Sequence, residues 1–448
     1  MKTRIEHEKY DTKVEASDWR YAAAIVGLKE YFDFHGRNVT EPEITEEIFL
    51  FNSKDITEER YLEFVEYFYG EELQHRQVEK ILHNEEFSEE QIKRVNDLLK
   101  SNSIMKKVFG KEKFDGENKE ELLELITKNR KVLIKETFRN KPNMYANYAN
   151  KGQLLQEGKT CCRLLGYYVD GVRKTKSISY NFDVNTFVSE DNILFDFIPF
   201  AFTDGREAFF INDNCLLENL IRTNRNLKRR ADNEMAVSEG KAKDVRRILF
   251  KTIQETADFI DYDVEVIVKY REKEFFETLY IRRESIKILK ALKVYEPFCF
   301  SVKLGESYWL NVQKEVMSCI LNLTRTDYLI EFFLKQNSEY IVSKLIEINQ
   351  LICGGGMEMN QSMKGAYACA KEVVKKIPEN KRESYRQKLT STIVFKDYDR
   401  FCQILLQLSN YSDVNFDFAF SLYEDFEANK DVAYTFINAL TTKTKPEN

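Results

Sequence analysis

Gly158-Lys159-Thr160 is the tripeptide in this chain that most invites a chemical reading, because it is the end of a phosphate-binding loop. Such a loop runs G-x-x-x-x-G-K-[ST] between a buried strand and a helix, with backbone N–H groups around the phosphates and the lysine reaching them. Counting back from Gly158, the leading glycine would stand at position 153, which is Gln153; Gly152 is one residue off. The preceding YANYANK is polar rather than a buried strand, and no acidic metal-binding strand is apparent. The tripeptide is not a phosphate loop, and NTPase chemistry is set aside.

Arg76 and His83 form a second candidate. Seven residues is two helical turns, so both side chains share one face of a helix. The spacing R-x6-H resembles the Arg/His pattern of HEPN ribonucleases, in which paired helices bring both residues to a scissile RNA phosphate. Metal-independent RNA cleavage is therefore the catalytic alternative, against the plainer reading of two solvated side chains. Metal chemistry has little to build on. There are four histidines, none in an H-x-x-x-H pair, and eight cysteines with no C-x-x-C spacing. No metal, cofactor or catalytic residue is expected on the main reading.

What remains is charge. The net charge is −6, yet residues 128–176 hold 12 Lys/Arg against 3 Asp/Glu, and residues 218–251 hold 10 against 5. Blocks this uneven on an acidic chain predict one basic surface. Phosphates attract Lys and Arg, while amides probe base edges and sugars. The first block and its flank supply Arg139, Lys141, Asn143, Asn147, Asn150, Lys151, Gln153, Lys159, Arg163, Arg173, Lys174 and Lys176. The second supplies Arg222, Arg225, Lys228, Arg229 and Arg230. The plainer alternatives are an asparagine-rich turn and a helix end that favours cations.

The elements that must position these residues follow from pattern. Residues 1–138 read as mostly helical. Asp18 caps WRYAAAIVGLKEYFDF, which Gly36 ends, Thr57 caps the helix of ITEERYLEFVEYFYG, and Ser88 with Gln91 opens another. Residues 139–176 read as a basic loop and 177–215 as a β-rich core. There SISYNFDVN alternates, ILFDFIPFAF reads as an edge or bulged strand around Pro199, and REAFFIND pairs with it across Thr203-Asp204-Gly205. Helices and strands fill 216–305, with DVEVIVKY and FETLYIRR as strands. Residues 306–448 read as a separate helical bundle. The fold class is α+β: an N-terminal body, residues 1–305, followed by an all-α bundle.

Bulk composition agrees with a multidomain globular chain of 448 residues, 43% hydrophobic and 32% charged. The first 20 residues are polar, unlike a signal peptide, and no apolar run reaches the roughly 18 residues of a membrane span. The scattered cysteines look like reduced thiols. A cytoplasmic location is expected.

Three stretches then suggest a family. DWRYAAAIVGLKEYF, ERYLEFVEYFYG and NTFVSEDNILFDFIPFAFTDGREAFFINDN resemble the large subunit of type I-B (and related I-A) CRISPR Cascade complexes. The order of parts, a mixed body before a helical bundle, is also similar across most of the chain. Some relatives carry zinc-binding cysteine pairs in the middle region, which Cys161-Cys162 and Cys215 do not reproduce. The resemblance implies a non-catalytic subunit beside the 5′ end of a guide RNA. It would inspect target double-stranded DNA for a protospacer-adjacent motif, support R-loop formation and recruit the helicase-nuclease effector. Its partners would be the guide RNA, the target DNA and the other Cascade subunits, with no membrane. The resemblance further implies that the bundle can be made separately from an internal start; Met317 is preferred because it retains nearly all the expected helices, whereas Met357 would discard two of them. The bundle's Lys364, Lys371, Lys375 and Lys376 would then face the guide–target duplex. A purely structural scaffold is the remaining alternative.

Overall fold

The structure is a computed structural model and describes residues 9–140, 154–155, 192–204, 207–213, 216–237, 249, 252, 263–270, 276–292, 298, 300–306, 308–354 and 359–441. It is α+β, with small antiparallel sheets among helices and a helical run at the C-terminal end. The chain divides into two units, Met1–Thr256 with Val264–Tyr280, and Ala257–Asp263 with Ile281–Asn448.

In the first unit, helix α1 (Trp19–His35) is the central element. Asp18 caps it, accepting from the backbone N–H groups of Arg20 and Tyr21, and Gly36 ends it at a φ of 49°. Ala22, Ala23, Ala24, Ile25, Val26 and Leu28 are all buried, so this helix is covered on nearly every side. Helix α2 (Glu58–Tyr69) has Thr57 as its cap, and α4 (Glu89–Leu99) starts in a reciprocal capping box between Ser88 and Gln91. Helices α3 (Gln74–Leu82), α5 (Ser103–Phe109) and α6 (Lys119–Asn140) complete the N-terminal helical layer.

Two features depart from the sequence reading. First, a three-stranded antiparallel sheet stands inside the part read as mostly helical. Its strands are β1 (Thr12–Glu15), β2 (Glu43–Ile44) and β3 (Ile48–Phe51), with β3 central. Second, Ile193–Ala201, expected as an edge or bulged strand, is a 3-10 helix buried from Leu194 to Ala201, packed along α1 and touched by the Tyr61, Phe64 and Phe68 rings of α2. A strand there would need ladder partners, and Pro199 has no N–H to give. Instead Tyr61 Oη donates to the Asp196 carbonyl at 2.6 Å and Tyr69 Oη to that of Pro199 at 3.2 Å. Two hydroxyls thus satisfy backbone acceptors that burial would otherwise strand. Consequently β4 (Glu207–Asn212) pairs elsewhere: it runs antiparallel to β5 (Val264–Tyr270), with Phe210 opposite Ile267, and β6 (Phe276–Ile281) lies on the far side of β5. The expected strand SISYNFDVN lies outside the described residues.

In the second unit, α8 (Arg283–Ala291) precedes a two-stranded ribbon, β7 (Ser301–Lys303) and β8 (Trp309–Asn311). The sequence read this ribbon's second strand as the start of a helix; the helix begins only at Val312, capped by the Asn311 side chain. Helices α9 (Val312–Asn322), α10 (Asp327–Lys335), α11 (Glu339–Ile352), α12 (Gln361–Lys376), α13 (Glu379–Val394), α14 (Tyr398–Ser412), α15 (Ala419–Glu424) and α16 (Lys430–Ala439) follow. The bundle encloses a polar knot. Buried Asn349 accepts from Thr326 N–H at 2.6 Å and donates to Asp327 and Asp431, and Arg325 grips both of those carboxylates. Met317 is buried in mid-helix. A product starting there would forgo the Asn311 cap and the buried Val312 and Val316.

Candidate functional site

The second basic block opens as helix α7 (Leu217–Val237). Its seat is set by Asn224, which is buried. The amide oxygen accepts from the Ile211 N–H at 2.9 Å, and the amide nitrogen donates to the Ile211 carbonyl at 2.8 Å. Leu220, Leu227 and Ala231 fill the same inward face. That anchoring sorts the cations.

Arg225 turns inward to α1, where Glu30 and Asp33 both hold its guanidinium. Burial would lower its pKa, but the two carboxylates outweigh that and raise it. Lys228 lies over the Phe68 ring of α2, its ammonium 3.2 Å from the centroid. Arg222 and Arg229 face solvent, hydrogen-bonded to Asn219 and Asn226 one turn back. Arg230 is half-buried. At the end of α6, Arg139 pairs with Glu136 at 3.0 Å. Lys141, Asn143, Asn147, Asn150, Lys151, Gln153, Lys159, Arg163, Arg173, Lys174 and Lys176 lie outside the described residues.

Arg76 and His83 do meet in one place. Both line a cleft of 430 Å³ with Tyr67, Gly70, Gln77, Glu79 and Lys80. Glu79 organises it from below. Its carboxylate accepts from Arg76 Nη1 at 2.9 Å and is also held by Arg130 of α6, while its backbone carbonyl accepts from His83 Nδ1 at 2.7 Å. A ring that donates from Nδ1 leaves Nε2 unprotonated in the neutral form. Arg130 reaches Glu66 as well, which accepts from His75 Nε2 at 2.9 Å. Burial alone would raise the Glu66 pKa. The His75 hydrogen bond and the Arg130 charge prevail and lower it. Tyr67, exposed at the rim, stacks on Phe34 with centroids 4.5 Å apart. Arg76, Lys80 and His83 on one wall suit an anion. The period of the helix placed Arg76 beside His83; nothing in it announced Arg130 or Glu66.

Among the described residues, no cluster of His, Cys, Asp and Glu could hold a metal ion, and no helix is long and apolar enough to cross a membrane. The bundle lysines expected along a duplex divide likewise. Lys364 and Lys375 are exposed, Lys371 lies by the Tyr367 ring, and Lys376 donates to the Asp413 carbonyl. Compared with known proteins, residues 10–440 match the family model of CRISPR-associated protein Csx8. No curated protein and no solved structure matches the chain.

Proposed function

We propose, for a chain that belongs to the CRISPR-associated protein Csx8 family, the role of a non-catalytic large subunit in a type I Cascade complex. It would read the protospacer-adjacent motif in duplex DNA, support R-loop formation and recruit the helicase-nuclease, acting in the cytoplasm with guide RNA and other Cascade subunits. The family match, which spans both units of the chain, supports the CRISPR association, and the observation that carries the finer role is the resemblance of the three stretches to Cascade large subunits. The uneven charge supports a DNA contact: a segment rich in Asn and Lys at 140–160 follows α6 directly, and α7 offers Arg222 and Arg229 to solvent. Base sequence is left to the guide, and the protein reads a short motif and shape, as in other guided systems.

The test is substitution of Asn147, Asn150 and Lys151 by Ala in the assembled complex. Binding to motif-bearing duplex weakens by about 1–3 kcal/mol for every base edge no longer read, with little change on pre-melted target. Equal losses on both would reassign these residues to general phosphate contact, and no loss on either rejects them as the reader. A second reading has one observation in its favour, the joint presence of Arg76 and His83 in the cleft. As a HEPN-like RNase the chain would cleave RNA without metal, and His83→Ala would abolish that cleavage.

A further inference from the structure

We propose that the β7–β8 ribbon is a stacking platform for an unpaired DNA strand. The antiparallel register sets Lys303 opposite Trp309, Val302 opposite Leu310 and Ser301 opposite Asn311. Directly opposite residues share a face and successive ones alternate. One face therefore carries Ser301, Lys303, Trp309 and Asn311, all exposed, and the other carries the half-buried Val302 and Leu310. Leu304 N–H donates to the Tyr308 carbonyl at 2.9 Å, closing the turn. Helix α9 begins at the residue after β8 and contacts β7, which ties the ribbon to the bundle.

The outward face is an unusual place for the largest apolar ring. The chain has two tryptophans; Trp19 is 6% exposed in the first unit's core, and Trp309 is 57% exposed. The Lys303 ammonium stands 5.9 Å from the Trp309 ring centroid. A ring, a cation and two short hydrogen-bonding side chains, with no carboxylate among the four, match the parts of a nucleic-acid strand. A base stacks on the indole, a phosphate meets Lys303, and Ser301 and Asn311 border the sugar. The core of a protein interface is depleted of charge, whereas here Lys303 stands directly opposite Trp309. The choice of DNA over RNA rests on the duplex-opening reading above, because opening a duplex frees a DNA strand. The stacking chemistry does not.

The two tryptophans provide the test. Intrinsic fluorescence of the full-length protein is followed while oligothymidylate of about 12 nucleotides, within the usual range of site sizes, is added. That probe has neither duplex nor adjacent motif, so the motif reading can fail without affecting the outcome. Stacking quenches the exposed tryptophan. Trp309→Phe loses the quench and weakens binding less than Trp309→Ala, which lowers affinity roughly 10- to 100-fold, and Lys303→Gln lowers the salt slope by about 0.7. An unchanged affinity in Trp309→Ala, or a quench that survives Trp309→Phe, overturns the proposal. So does binding of oligouridylate without oligothymidylate. Loss of co-purifying Cas subunits in Trp309→Ala, with DNA affinity intact, would make the face a protein interface and overturn it equally.

Discussion

The carbonyl oxygen of Phe197 occupies the space where a side chain on Gly27 would begin: a Cβ built there would lie 2.0 Å away. The close approach joins the middle of α1 to the 3-10 helix Ile193–Ala201, and neither backbone can retreat without disturbing the aromatic packing around Tyr31, Tyr61 and Phe200. Gly27→Ala should therefore cost more than the roughly 1–3 kcal/mol of ordinary overpacking. Gly365, inside α12, makes the contrast. A Cβ there meets only the Phe418 Cβ at 3.6 Å, so Gly365→Ala should stabilise by about 0.5–1 kcal/mol. Urea denaturation of the two variants measures both; a mild effect at Gly27 would mean the helices slide apart cheaply.

The Glu66–Arg130–Glu79 cluster predicts an acid limb in stability. The folded Glu66 pKa is depressed below its ordinary 4.5. Its contribution is thus complete above that value and is lost as pH falls through the lower, folded one. Glu66→Gln should flatten the stability profile below about pH 4.5, as read by thermal melts across acid pH. A profile that is parallel to wild type would place the acid sensitivity elsewhere.

Arg130→Met should be the costly change in that cluster, about 3–5 kcal/mol, because it removes the cation that serves two carboxylates, Glu79 being nearly buried. Arg76, half exposed, should cost under about 1 kcal/mol as Arg76→Met. If the cleft serves only to hold the fold, neither variant will alter any binding at matched stability.

The cations of α7 should separate by function. Charge reversal at Arg222 and Arg229 should lower affinity for all DNA sequences and reduce the salt slope by roughly 0.9 per phosphate no longer neutralised, leaving stability unchanged. Arg225→Ala should instead destabilise by up to about 1 kcal/mol through removal of the Glu30 and Asp33 pairs. A salt slope unaltered by the Arg222 and Arg229 reversals would assign that face to a protein neighbour.

Local signals were legible in the sequence, and tertiary ones were not. The caps at Asp18, Thr57 and Ser88 are written within four residues of the helices they start, and each stands where expected. Ile193–Ala201 was illegible because burial on every side erases the periodicity that separates strand from helix. The sheet of β1, β2 and β3 left no signal because its strands are two to four residues long and Thr12 pairs with Phe51. The same limit applies to the site. Arg225 looks like any cation of its block until Glu30, 195 residues earlier, arrives beside it.

Phe138, near the end of α6, and Phe200, in the 3-10 helix, stack in the same core with rings 16° apart. Leu154, 3% exposed, belongs to that core as well, and the Leu155 N–H donates to the Asp196 carboxylate at 2.5 Å. Three stretches far apart in sequence are thus clasped together, so fragments divided after residue 155 should still associate when made as separate chains.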